Sequence, residues 1–141
     1  HTENENVFNM RKGEIWYLDA SVPHSACSFS GIERMTINLD FFSGVPFEKL
    51  FKNDSYVADG QPQMVERPAM TDEYLESLMD LSTLIHPYNF DEIVGILSKV
   101  HYLRVANPAD TYDWLIEICK RANQGELHQK AIEMKKYFLG E

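Results

Sequence analysis

Apolar and polar positions alternate with period two in the first third of this chain and recur at helical spacing in its second half. Val7 to Met10 and the β-branched and aromatic run Ile15-Trp16-Tyr17-Leu18 flank Arg11-Lys12-Gly13-Glu14, which predicts a hairpin. Beyond a loop over Asp19 to Pro23, the stretches His24 to Phe29 and Ile32 to Phe42 flank a Ser30-Gly31 turn and predict a second strand pair. In the last of these strands Met35, Ile37, Leu39 and Phe41 share one face and Arg34, Thr36, Asn38 and Asp40 the other. One face is therefore expected against a core, with the other toward solvent or toward the interior of an open barrel that holds a polar ligand. Four strands are too few to close a barrel, so the β part is expected to be truncated.

A connector rich in proline and glycine follows from Ser43 to Met70, with one short helix expected near Phe47 to Phe51. Thr71 then caps a helix running to about Ile85, with Tyr74, Leu75, Leu78, Met79 and Leu81 on its apolar side and Pro87 preventing continuation. Asn89 and Glu92 have the spacing of a reciprocal capping box and open a helix with Phe90, Ile93, Leu97 and Val100 inward. Asn107-Pro108 places a capping side chain before a proline at the first helical position of a third helix, whose buried stripe is Trp114, Leu115 and Ile118. Gly125 is expected to separate it from a fourth, marked by Leu127, Ala131, Met134 and Phe138. The pattern reads as an α+β chain in three parts: strands over 1–43, a connector over 44–70 and a helical domain over 71–141.

With 141 residues and 44% hydrophobic content the chain can bury a real core. Charge narrows the partners. The net charge is −9, residues 1–98 hold 6 basic and 16 acidic side chains, and the balanced remainder has no basic stripe, so nucleic acid and membrane surfaces are disfavoured. Cys27 and Cys119 lack the spacing of a disulfide scaffold or zinc knuckle, no apolar run reaches a membrane span, and the amino terminus is polar; a cytoplasmic location is expected.

The candidate chemistry lies on the second strand pair. An imidazole at His24 is a good iron ligand, and the planar guanidinium of Arg34 can grip a carboxylate with two parallel hydrogen bonds. The hairpin register decides whether they meet. A tight two-residue turn at Ser30-Gly31 sets Cys27 opposite Arg34 with His24 on the other face, whereas a three-residue loop with a glycine bulge brings His24 to the face of Arg34, Thr36 and Asn38. The plain alternatives are a structural strand histidine and a solvated or salt-bridged arginine.

The stretch VFNMRKGEIWYLDASVPHSACSFSGIERMTINLDFF, Val7 to Phe42, resembles the carboxy-terminal half of the jelly-roll core of bacterial L-proline hydroxylases of the proline 3-hydroxylase type. The likeness continues through KVHY at Lys99 to Tyr102 and YDWL at Tyr112 to Leu115. It implies partial jelly-roll (double-stranded β-helix) strands followed by a helical carboxy-terminal domain. It also implies an iron(II)/2-oxoglutarate dioxygenase acting on free proline or a similar small amino acid. His24 matches the family's distal iron-binding histidine, and Arg34, ten residues later, matches the arginine that binds the far carboxylate of 2-oxoglutarate. The family's His-x-Asp ligand pair has no counterpart here, since His1-Thr2-Glu3 lies too close to His24 in sequence. The chain by itself is therefore expected to be inactive and without bound iron or 2-oxoglutarate.

Trp16, Tyr17 and Trp114 read as packing residues, Cys27 as a small apolar strand residue, and His101 as a packed histidine at the edge of a helix face. His86 suits a helix end and His128 a surface, so neither is expected to bind metal. The helical tail is expected to support the barrel, with a lid or a homodimer surface as other uses. A competing reading makes it a non-catalytic interaction module on a degenerate jelly roll.

Overall fold

The computed structural model describes residues 6–16, 24–29, 31–33, 35–37, 44 and 64–140. The expectations for Tyr17, Leu18, the 47–51 helix, and Leu39 and Phe41 lie outside the described residues, as do His1 to Glu3.

The helical region is built from five helices. They are α1 (Asp72–Met79), α2 (Phe90–Leu97), the single turn α3 (Val100–Leu103), α4 (Asp110–Arg121) and α5 (Gly125–Leu139). Thr71 caps α1 as expected, its Oγ1 accepting from the Tyr74 amide at 3.2 Å, with Asp72 and Glu73 favourable in the first turn. The helix tightens at its end into a 3-10 turn, Asp80–Thr83, so the expected run to Ile85 is divided.

Two caps differ from the sequence expectation in an instructive way. Asn89 does precede α2, but its side chain does not cap it. The Asn89 amide faces backward, accepting from the His86 amide at 2.8 Å and donating to the Leu84 carbonyl at 3.0 Å, and so closes the loop around Pro87. The reciprocal box stands instead at Asn107. Its Oδ1 accepts from the Ala109 amide at 3.0 Å, while Asp110 Oδ2 accepts from the Asn107 amide at 3.0 Å.

The break between α4 and α5 likewise falls on a different residue. Asn123, at φ 56°, is the left-handed residue, and Gly125 is the first residue of α5. The Gln124 amide reaches back to the Cys119 carbonyl at 3.1 Å and the Asn123 amide to Lys120 at 3.1 Å, the paired bonds of a Schellman terminus. Asparagine serves there because it tolerates left-handed backbone better than other residues with a Cβ.

The core is formed by Leu78, Met79, Ile85, Phe90, Ile93, Leu97, Val100, Leu115, Ile118, Cys119, Leu127 and Ala131. α4 lies at its centre and packs along α5. Trp114 and Met134 lie partly buried against this cluster. Arg121 ties α4 to α1, donating to both Glu76 oxygens at 2.8 and 3.3 Å and to Glu117 at 3.0 Å. Among the described residues no helix is long and apolar enough to cross a membrane.

Ahead of α1 two isolated bridges form among the described residues: Phe8 pairs antiparallel with Met64, and Ala69 pairs parallel with Val105. The Lys12-Gly13 turn forms, with Gly13 at φ 85° and the Glu14 amide 3.3 Å from the Arg11 carbonyl. Across it Trp16 and Phe8 bring their rings to 5.9 Å. The backbone partner of Val7 is nevertheless Val65, at 2.8 Å, a residue of the segment read from sequence as connector.

Candidate functional site

The segment His24 to Cys27 lies along the helical region and bounds a cleft of about 580 Å³ with it. The helical side comprises Lys99, His101 and Tyr102 from the α2–α3 turn and α3, Thr111 and Tyr112 at the start of α4, and Phe138 and Leu139 at the end of α5. The volume falls in the range of small-molecule sites.

Tyr102 joins the two sides. Its hydroxyl and that of Ser25 share a hydrogen bond at 2.5 Å, and Phe29 meets its ring edge-on, with centroids 6.2 Å apart. Below it, the His101 ring lies 4.0 Å from that of Tyr102 and is almost fully buried. Desolvation holds the His101 imidazole below its ordinary value near 6.5; the nearby Arg67 charge acts in the same direction, and a bond to Ser98 opposes both. Arg67 also donates to the carbonyls of His101 and, at 3.3 Å, of Arg104, bracing α3 at its open end. On the far wall Tyr112 stacks on Phe138 at 5.9 Å, and burial raises its phenol.

His24 is exposed at the margin of this cleft, and Cys27, half-buried, lines it as well. Arg34 lies outside the described residues, so its pairing with His24 and the choice between the two hairpin registers do too. Among the described residues no group of three His, Cys, Asp or Glu side chains could hold a metal ion, and His24 alone is one ligand rather than a site. His86 and His128 are not among the residues that line the cleft. His86 Nδ1 accepts from the Tyr88 amide at 3.2 Å, and His128, expected at the surface, is half-buried.

Sequence reasoning did not single out Tyr102 and Tyr112 as pocket residues. Both lie in the two helical stretches that carry the family likeness, KVHY and YDWL, so the signal was present there.

Comparison with known proteins gives a consistent result. A family model described as "L-proline 3-hydroxylase, C-terminal" matches residues 47–141. An L-proline cis-4-hydroxylase of Rhizobium meliloti (strain 1021) is 37% identical over 140 residues, covering 99% of this chain and 50% of that protein. An L-proline cis-3-hydroxylase 2 of Streptomyces sp is 39% identical over 140 residues, covering 97% of this chain and 48% of that protein. A second Streptomyces enzyme, L-proline cis-3-hydroxylase 1, is 34% identical over 143 residues, covering 99% and 49%. The chain spans about half the length of the curated relatives it matches.

Proposed function

Because this chain belongs to the L-proline 3-hydroxylase family, matching its C-terminal model, we propose that it forms the carboxy-terminal part of an iron(II)/2-oxoglutarate-dependent dioxygenase hydroxylating free L-proline or a similar small amino acid. The observation that carries this reading is the match of 97–99% of the chain to proteins that are each named a proline hydroxylase. Enzymes named cis-3 and cis-4 match at 34–39% alike, so the proposal names the amino acid and leaves the ring carbon open.

In this reading the segment around His24 belongs to a jelly roll in the complete protein. His24 supplies one imidazole to the iron, and the Arg34 guanidinium holds the far carboxylate of 2-oxoglutarate through paired charge-assisted hydrogen bonds. Iron with 2-oxoglutarate, when bound, supplies the oxygen-activating chemistry that a protein side chain lacks. The contribution of the chain is placement: an imidazole from His24, a guanidinium fork from Arg34 for the dicarboxylate, and helices packed against the segment that bears His24. The 141-residue chain by itself has no turnover in this reading, because His24 is a single ligand.

The test uses the complete product of the gene that encodes this chain, assayed for succinate and hydroxyproline with iron(II), 2-oxoglutarate and L-proline. His24→Ala should abolish succinate formation. Arg34→Gln should chiefly raise the KM for 2-oxoglutarate, by about tenfold or more for loss of a bidentate pair. Normal turnover in both variants refutes the two assignments. Absence of proline-dependent turnover in the parent protein, with stable self-association of the helical region in light scattering, would favour the non-catalytic interaction module.

A further inference from the structure

We propose that Tyr102 is a positioning residue that sets the place of the segment bearing His24. The inference rests on the reading of His24 as the iron-binding imidazole and extends it into the helical region.

Among the described residues 24–29 form no strand, so side-chain contacts to the helices bear directly on where this segment lies. Two of them, four residues apart, fall on the same side chain: the Ser25 hydroxyl on the Tyr102 hydroxyl at 2.5 Å, and the Phe29 ring on the Tyr102 ring. Ser25 is the immediate neighbour of His24, so the height of the tyrosine hydroxyl sets the height of the imidazole-bearing backbone.

Tyr102 is itself firmly held. Its helical turn begins at buried Val100, the buried His101 ring packs on it, and Arg67 binds the carbonyls of His101 and Arg104. The Val105 amide then bonds Pro68 at 3.0 Å, fixing the chain just past the turn. A rigid support of this kind suits a positioning role, because catalytic placement fails when a ligand is loose by about 1 Å. Removing only the hydroxyl leaves both ring contacts possible, so Tyr102→Phe isolates the hydrogen bond.

The complete gene product and its variants Tyr102→Phe, Ser25→Ala and the double variant are compared in three measurements. These are cobalt(II) affinity read from its visible absorption, the kcat and KM for L-proline, and the unfolding equilibrium constant in urea. A partner bonded directly to a metal ligand is typically worth about 10–100-fold, and the Ser25–Tyr102 bond, one residue removed from His24, belongs at the low end of that range. Each single variant should therefore weaken cobalt affinity and lower kcat by about tenfold, with the proline KM changed less than twofold. The double variant should lose no more than the worse single, since the Ser25–Tyr102 hydrogen bond is already lost in each.

Single variants within twofold of the parent in cobalt affinity and kcat overturn the proposal, as do losses that multiply in the double. His24→Ala with normal turnover overturns the reading of His24 instead. The Tyr102 proposal is then decided by the unfolding constants alone: a Ser25–Tyr102 coupling of about threefold or more supports it, and a smaller one defeats it.

Discussion

Ile32, Met35 and Ile37 in the amino-terminal region are as apolar as Leu97, Leu115 and Ile118 in the helices, yet the first three are 79%, 91% and 78% exposed and the last three not at all. The helical region satisfies its hydrophobic pattern from its own residues. Among the described residues the apolar face of the strand pattern finds no cover. Periodicity reports which side chains share a face; it does not report whether a surface to receive that face lies in the same chain. Stability measured on the 141 residues should therefore come almost wholly from the helices.

The strongest way to break that comparison is to open the helical core. Leu115→Ala removes a fully buried side chain at the centre of α4 and should cost about 2–5 kcal/mol in urea unfolding. An effect under about 1 kcal/mol would mean that the core is not where the stability resides.

Next come the helix ends. Asn107→Ala deletes the side chain of the observed capping box and should cost about 1 kcal/mol. Asn123→Ala should cost a similar amount, about 1 kcal/mol, by forcing alanine into left-handed backbone, whereas Asn123→Gly should be neutral or stabilising. Equal losses for alanine and glycine at 123 would locate the effect in the side chain rather than the backbone.

A smaller contribution should follow pH at the seam between the regions. The folded His101 imidazole titrates below its unfolded value near 6.5, so the unfolded chain binds the proton more readily. Stability is full above about pH 6.5 and is lost as pH falls from there toward the depressed folded value. The urea midpoint should drop between pH 7.5 and 5.5, and His101→Phe should flatten that drop; an unchanged slope would assign it to other groups.

Smallest of all should be the amino-terminal face. Met35→Ser and Ile37→Ser should each change the stability of the 141-residue chain by less than about 0.5 kcal/mol. A loss of core size at either position would show that this face is covered after all.

Much of the helical region was legible because its signals are local. Thr71 caps, and the apolar stripes of α1, α2 and α4 and that of α5 as far as Met134 face the core. Phe138, by contrast, is exposed at the cleft, and the first helix ends at Met79 and its 3-10 turn at Thr83, ahead of Pro87. Where local rules had two uses for one residue, packing chose between them. Asn89 and Asn107 have equivalent spacing to an acidic residue, and only the loop around Pro87 turns the first backward. Gly125 and Asn123 could each end α4, and the Schellman bonds fall on Asn123.

Of the candidate site, His24 was named from residue type and family likeness, and its partner Arg34 lies outside the described residues. The helical wall beside His24 was not legible. Tyr102 is 77 residues from Ser25, and no periodicity carries information across that separation. The sequence by itself determined the family, the helices and their buried faces, because those follow from short-range spacing and from likeness along most of the chain. Only the tertiary structure decided that a tyrosine hydroxyl reaches across to the neighbour of His24, that Val7 pairs with Val65, and that Met35 and Ile37 are exposed. Each of those depends on which distant surfaces meet, a free-energy choice made by the whole chain rather than by any window of it.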